Sequence, residues 1–368
     1  MNITEVLVPP QAIAWLPWAV QYFFYIGSAY AAAMLFLIAL LFERRSSHRL
    51  RAALALTLAI GAMVGPLALT GDLHQPGRAW HFYAYITPWW SWMSLGSLFL
   101  PLFSALAVAT AWLYLRADLI ALQQSRGLVL RWVGQLSLGQ WRTSRRLMLL
   151  VATLTMLSGL SIALYTGAEI AAVSARPLWH QPAAPLLWFV TAFLAAVGFS
   201  LFVYLLVPKA ISAQLSSFDL SLLKKTVSLS AVLALILVPI WAANNPTFSL
   251  YENAQWTQHL ALLTAALLGC IAWAFFSLHD RTRGLGLIGM MALSLVAAWL
   301  VRWITMMQVQ TIPKFDVGPY PYELPWGANG ALGIAGMFGL WLALALLGSE
   351  LVQHRAQTHP SSVLTHHE

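Results

Sequence analysis

A chain of 368 residues that is 60% hydrophobic and only 9% charged does not read as a soluble domain. Its mean hydropathy of +0.72 puts it in the membrane class. The net charge of +8 does not indicate a nucleic-acid partner, because the basic residues are scattered and gather into no patch. The lone cysteine, Cys270, excludes an intrachain disulfide. It also excludes a cysteine-ligated iron–sulfur cluster, which takes about four thiolates. Lying within an apolar run, Cys270 reads as a small buried hydrophobe.

A bilayer span needs about 20 mostly apolar residues. Nine runs qualify: 14–42, 52–71, 91–115, 147–173, 185–208, 226–244, 258–278, 285–307 and 331–350. The expected fold is an all-α polytopic membrane protein, with nine antiparallel helices in one domain over 1–350 and a short polar tail over 351–368. The N-terminus lacks a basic region and a small-residue cleavage site, so no removable signal peptide is expected. Of the 20 Lys and Arg residues, 16 fall after the first, third, fifth, seventh and ninth runs. The positive-inside rule then puts those loops in the cytoplasm, the N-terminus outside and the C-terminus inside. Residues 116–146 are predicted to form a basic amphipathic helix on the inner surface, drawn to anionic lipid. Residues 308–330, rich in Pro, Gly and Tyr, form an outward loop suited to packing on a partner protein.

Between the second and third runs lies TGDLHQPGRAWHFYAYITPWWSWM, from Thr70 to Met93. Charged groups at a bilayer edge are expensive unless paired or functional, and Trp and Tyr settle at headgroup level. Asp72, His74, Arg78 and His81 among six Trp and Tyr residues describe a polar pocket with aromatic walls, fit for a flat amphipathic ligand such as a quinol. Asp72 and Arg78 read either as an interfacial ion pair fixing the turn at Pro76 and Gly77, or as a proton acceptor tuned by a nearby cation. His74 and His81 titrate near physiological pH if unperturbed. On one helix they would share a face and could bond a quinol hydroxyl; equally, they could meet interfacial water.

In the fourth run Tyr165 and Glu169, at i and i+4, share a helix face. A carboxyl inside a span is a functional hypothesis by default. The alternative is a polar clasp between helices, with Gly167 allowing close approach. Downstream, SARPLWHQPAAP repeats the outer-edge chemistry with Arg176, Trp179 and His180. Arg302, inside the eighth run, cannot deprotonate; it is expected to pair with Glu169 or Asp72. Gln21 and Tyr25, also at i and i+4, read either as facing the same pocket or, for Gln21, as an ordinary interhelical hydrogen bonder. None of the ten histidines lies in the middle of a run, so a membrane haem with paired axial histidines is not expected. Any electrons handled here pass to cofactors held elsewhere. A proton-coupled carrier is the competing class, since Glu169 and Arg302 would serve one too. Against it stand the absence of an inverted repeat and the gathering of polar groups at one face.

The ordered run of WLPWAVQYFFYIG, LTGDLHQPGRAWHFY, PWWSWMSLGS, LYTGAEIAAVSARPLW and WLVRWITM resembles the NrfD/polysulfide-reductase-like membrane subunits. EVLVPPQAIAWLPWAVQYFF and LALTGDLHQPGRAWHFYAYITPWWSW are similar to their tetrathionate reductase branch. The resemblance implies two four-helix bundles with no haem or cluster of their own. It implies oxidation of menaquinol near the outer face of the bacterial inner membrane. Electrons would pass to an iron–sulfur subunit and on to a molybdopterin catalytic subunit on the periplasmic side. By the same resemblance Gln21, Asp72 and Tyr165 fall at or near the quinol site, with Gln21 standing where relatives often carry other polar residues. No role for Glu169 or His74 follows from it.

Overall fold

The computed structural model describes residues 13–73, 75–86, 88–125, 127–207, 215–245, 249–276, 283–312 and 322–352. The tail expected over 351–368 falls almost wholly outside them. Among the described residues nine helices are long and apolar enough to cross a membrane, and no strand occurs. They are α1 (Pro17–Leu41), α2 (His48–Asp72), α3 (Trp92–Leu122), α4 (Arg145–Ala171), α5 (Ala183–Leu206), α6 (Ser217–Ala243), α7 (Ala254–Phe276), α8 (Arg283–Trp303) and α9 (Ala331–Leu351). A π-helical turn, Ile304–Gln308, extends α8. With every backbone group bonded within its own segment, helices are the solution open to a chain this apolar in lipid.

Packing divides the helices into two four-membered rings. One ring runs α1–α2–α3–α4, the other α5–α6–α7–α8. Helix α5 joins them by packing on α1 and α2, and α9 lies across α2 and α5. The α1–α2 and α5 faces at this seam are the most buried in the molecule, rich in Ala, Gly and Ser that let backbones approach.

The helices alternate in direction, so the described basic residues around the ends of α1 and α3 and the starts of α4 and α6 gather at one end, and the aromatic segment at 79–83 lies at the other. Three helices run longer at the basic end than hydropathy indicates. Helix α2 begins at His48, α3 runs on to Leu122 and α6 begins at Ser217. The reason is local: charges that end an apolar window are here satisfied inside the fold. Ser47, Ser144 and Ser216 cap α2, α4 and α6 by accepting the amides of Leu50, Leu147 and Asp219, the role such hydroxyls play at helix starts. Buried Arg49 donates to the carbonyls of Tyr204 and Val207, holding the end of α5. Arg51 donates to the carbonyls of Glu43 and Ser46, just past α1.

The segment 116–146 departs from expectation, since it is not one amphipathic helix. Its first part completes α3, and a seven-residue helix, Leu128–Gly134, and a turn at Gln135–Ser137 follow. Arg116 is buried, donating to the carbonyls of Ser137, Gly139 and Trp141, with its guanidinium 3.3 Å from the Trp141 ring centroid. It pins a turn in which Leu138 (φ 51°) and Gly139 (φ 100°) both take left-handed backbone. Leu128, Val129, Trp132, Leu136 and Leu138 stay exposed around it, as suits a segment lying in the membrane interface.

Candidate functional site

At the end opposite the basic loops, the mouth of the first ring holds a cavity of about 380 Å³. Its size falls in the range of small-molecule sites. The walls come from the segment before α1 (Ala14, Trp15), the end of α2 (Pro66 to Leu73), the start of α3 (Met93 to Leu100), the end of α4, and the loop at Ala79–Tyr83. Most of the lining is apolar. The polar groups that converge on it are Thr70, Asp72, Tyr83, Ser97, Tyr165 and Glu169. Of the residues singled out in the sequence, Asp72, Tyr165 and Glu169 line this one space.

Tyr165 and Glu169 stand one turn apart on α4 and interact, and Asp72 and Tyr83 lie within electrostatic reach of them. The Glu169 carboxylate keeps one oxygen, Oε2, buried and without a hydrogen-bond partner among the described residues. Behind Tyr165 sits Tyr22 on α1, fully buried, its hydroxyl likewise unpartnered and facing Tyr165 and Glu169. The Oε1 of Gln21 is a third unpartnered buried atom at this level of α1. Buried polar atoms are rarely left unpaired, and of these three Glu169 Oε2 belongs to a residue that lines the cavity.

Gly96 on α3 sets the position of the Tyr165 ring. A Cβ at residue 96 would lie 2.2 Å from the ring carbon Cζ and 2.6 Å from the hydroxyl oxygen. Only a residue without a side chain lets α3 pass this close and keeps the phenol turned toward the cavity. Sequence reasoning missed Tyr22 and Gly96. Tyr22 sits in a run of four aromatic residues, QYFFY, which says nothing of the one that faces inward.

Asp72 has a clear mechanical part. Its Oδ1 accepts the amide of Leu16, 2.9 Å away, so the end of α2 caps the start of α1. On the other side Gln310 holds the same segment: its Oε1 accepts the amides of Ala14 and Trp15, and its Nε2 donates to the Trp15 carbonyl. Gln310 follows directly on the π-turn, a local irregularity often found beside functional sites. The cavity wall at Ala14 and Trp15 is therefore clamped from both rings.

Gln21, Tyr25, Arg78, His81 and Arg302 do not line the cavity. Gln21 and Tyr25 are buried in the packing of α1, where Gln21 Nε2 donates to the Pro17 carbonyl. Arg78 is exposed, and His81 packs edge-on against Trp80 and Tyr85. His74 lies outside the described residues. The stretch 75–81 is not one helix but a turn at Pro76–Arg78 followed by a short helix from His81, so the shared helical face expected of the two histidines does not form there.

The pairing expected of Arg302 is corrected. Its guanidinium is fully buried and donates to the carbonyls of Phe23, Trp188 and Ala298 and to the Thr191 hydroxyl. These neutral oxygens bind α8 to α1 and α5, and they satisfy the cation without a carboxylate. The expected second patch at 174–185 is likewise structural. Arg176 donates to the carbonyls of Val309 and Ile312, closing the end of the α8 extension, and partial burial moves its guanidinium pKa down from the ordinary value. Trp179 Nε1 donates to the Thr305 carbonyl, and the His180 ring bonds the Ala171 carbonyl.

Two rings of spanning helices, with an apolar cavity carrying Tyr and Glu at one mouth, define a multi-pass membrane protein. Comparison with known proteins gives the family. Residues 6–314 match "Polysulphide reductase, NrfD", and the chain belongs to that family. It is also similar to a tetrathionate reductase subunit of Salmonella typhimurium, with 36% identity over 354 residues, covering 94% of each chain.

Proposed function

We propose that this chain is the quinol-oxidising membrane subunit of a reductase complex, most specifically one that reduces tetrathionate. Menaquinol is the donor. It slides from the lipid into the cavity with its tail along the apolar lining and its ring against Tyr165 and Glu169. The observation that carries the reading is the meeting of Tyr165 and Glu169 on the wall of an apolar cavity, with Glu169 Oε2 unpartnered. The similarity to the Salmonella tetrathionate reductase subunit supports the choice of terminal substrate.

The Tyr165 hydroxyl donates to one quinol oxygen. Glu169 Oε2 accepts a hydroxyl proton, a step that needs the base within hydrogen-bond reach of the group it deprotonates. Tyr22 supports Tyr165 from behind, and Asp72 holds the wall at Leu16. Two protons leave toward the aromatic loops, and two electrons pass to the iron–sulfur subunit docked on that face. From there they reach a molybdopterin catalytic subunit, where the sulfur–sulfur bond of tetrathionate is reduced to give thiosulfate. The aromatic end faces the periplasm of a bacterial inner membrane, and the basic end faces the cytoplasm.

The test compares two assays on the assembled complex. Glu169→Gln is expected to abolish menaquinol-linked reduction of tetrathionate and to leave reduction from a viologen donor intact. Equal loss of both would mean that the variant had misassembled. Full menaquinol-linked turnover would remove Glu169 from the mechanism.

A further inference from the structure

At the basic end a groove of about 760 Å³ opens between the end of α1 and the start of α6. The two helices belong to different rings and do not pack side by side. The Phe42 and Phe218 rings bridge them, with centroids 5.2 Å apart. Two cations line the groove, Arg45 and Lys225, together with the hydroxyls of Ser217, Ser221 and Thr226. Both cations are exposed, and neither is ion-paired among the described residues. The nearest carboxylates on these elements are engaged elsewhere. Glu43 faces Arg51 and Arg145, and Asp219 is buried and accepts the Ser47 amide. Residues 208–214, which lead into α6, contain no acid.

The groove has a direction. Arg45 and Ser217 stand at its outer lip, beyond the end of α1 and at the start of α6. Ile38 and Leu229 line its inner part, both exposed. From Ser217 to Leu229 the helix rises roughly 18 Å, from the interface into the apolar layer. Lys225 lies two turns down α6, where a lysine extends its amine toward the interface along an apolar wall. Cations and hydroxyls at the lip, with an apolar channel beneath, match the two parts of a phospholipid in the order in which a bilayer presents them.

We propose that this groove is a binding site for an anionic phospholipid, such as phosphatidylglycerol. Its phosphate is held by Arg45, Lys225 and the serine hydroxyls, and one acyl chain lies along Ile38 and Leu229. Basic pockets between spanning helices take anionic headgroups in this way. Because the groove straddles the two rings, the lipid fastens them together at the end remote from the cavity. The neighbouring cavity at Arg142 and Arg145 is a poorer candidate, since Glu43 shares its lining.

The test is native mass spectrometry of the full chain in detergent, titrated with dioleoylphosphatidylglycerol and, separately, with dioleoylphosphatidylcholine. Each cation near the surface contributes roughly fivefold in affinity, so Arg45→Gln with Lys225→Gln should weaken the phosphatidylglycerol adduct about 30-fold. Arg44→Gln, one residue away and outside the groove, should leave the adduct unchanged. Ser221→Phe keeps both charges but fills the groove; it should also lose the adduct. It should lose as well the rise in melting temperature that phosphatidylglycerol gives the unaltered chain. Equal binding of the two lipids, or equal weakening by Arg44→Gln and Arg45→Gln, would reduce the effect to general surface attraction and overturn the site. Displacement of the lipid by millimolar inorganic phosphate alone would make the groove a phosphate site and overturn the lipid assignment.

Discussion

The two ends of the first ring use their buried charged groups in opposite ways. At the basic end the arginines are spent on structure. Arg49, Arg51 and Arg116 each donate to backbone carbonyls that would otherwise end a helix or a turn unsatisfied. At the cavity end the acceptors are left open: Glu169 Oε2, the Tyr22 hydroxyl and Gln21 Oε1 have no partner among the described residues. A buried polar group that lacks a partner costs about 1–3 kcal/mol, and Glu169 is the one whose side chain lines a cavity that a ligand can enter. Charge inside a span is thus ambiguous until its partners are counted. Arg302, fully buried, falls on the structural side of that count.

Substitutions at the two ends sharpen this contrast. The largest loss of menaquinol-linked turnover is expected for Glu169→Gln. Removing a positioned base costs roughly 100-fold or more, with viologen-linked reduction preserved. Tyr165→Phe removes the hydrogen bond donated to the quinol oxygen and should lower the same rate about 10- to 100-fold. Gly96→Ala places a methyl 2.2 Å from the Tyr165 ring. Overpacking of this kind costs about 1–3 kcal/mol, and the displaced phenol should lower turnover roughly tenfold while the chain still assembles. Asp72→Asn keeps an oxygen acceptor for the Leu16 amide and should cost no more than about fivefold. Arg302→Met belongs to the other class. It should lower the melting temperature of the chain and reduce menaquinol-linked and viologen-linked activities together, because it loosens α8 from α1 and α5. A selective loss of menaquinol-linked turnover in Arg302→Met would erase the distinction between the two regions.

Much of the fold could be read from composition. Among the described residues nine apolar runs became nine helices, and the basic residues around the first six gathered at one end because spans of this length alternate in direction. The boundaries that shifted did so where a charge found a partner within the fold, as at His48, Arg116 and Asp219. Hydropathy counts such residues as exits from the membrane; the structure satisfies them in place. The candidate site was legible in part. Asp72, Tyr165 and Glu169 announced themselves as polar groups at span ends, and they do line one cavity. Arg302 was misread because a sequence shows charge but not carbonyls. The carbonyl oxygens of Phe23, Trp188 and Ala298 are invisible in a string of apolar letters. Tyr22 and Gly96 were hidden for a related reason: an aromatic among aromatics and a glycine among small residues gain meaning only from the neighbour each one meets.

The central claim is that quinol binds at the mouth of the first ring, and the most direct measurement is photolabelling of the assembled complex with an azido-menaquinone analogue. Mapping of the labelled peptides should place the adduct on the cavity wall, within Ala79–Leu100 or Tyr165–Glu169, and excess menaquinone should suppress it. Specific labelling confined to α6, α7 or α9, with none on those segments, would contradict the account.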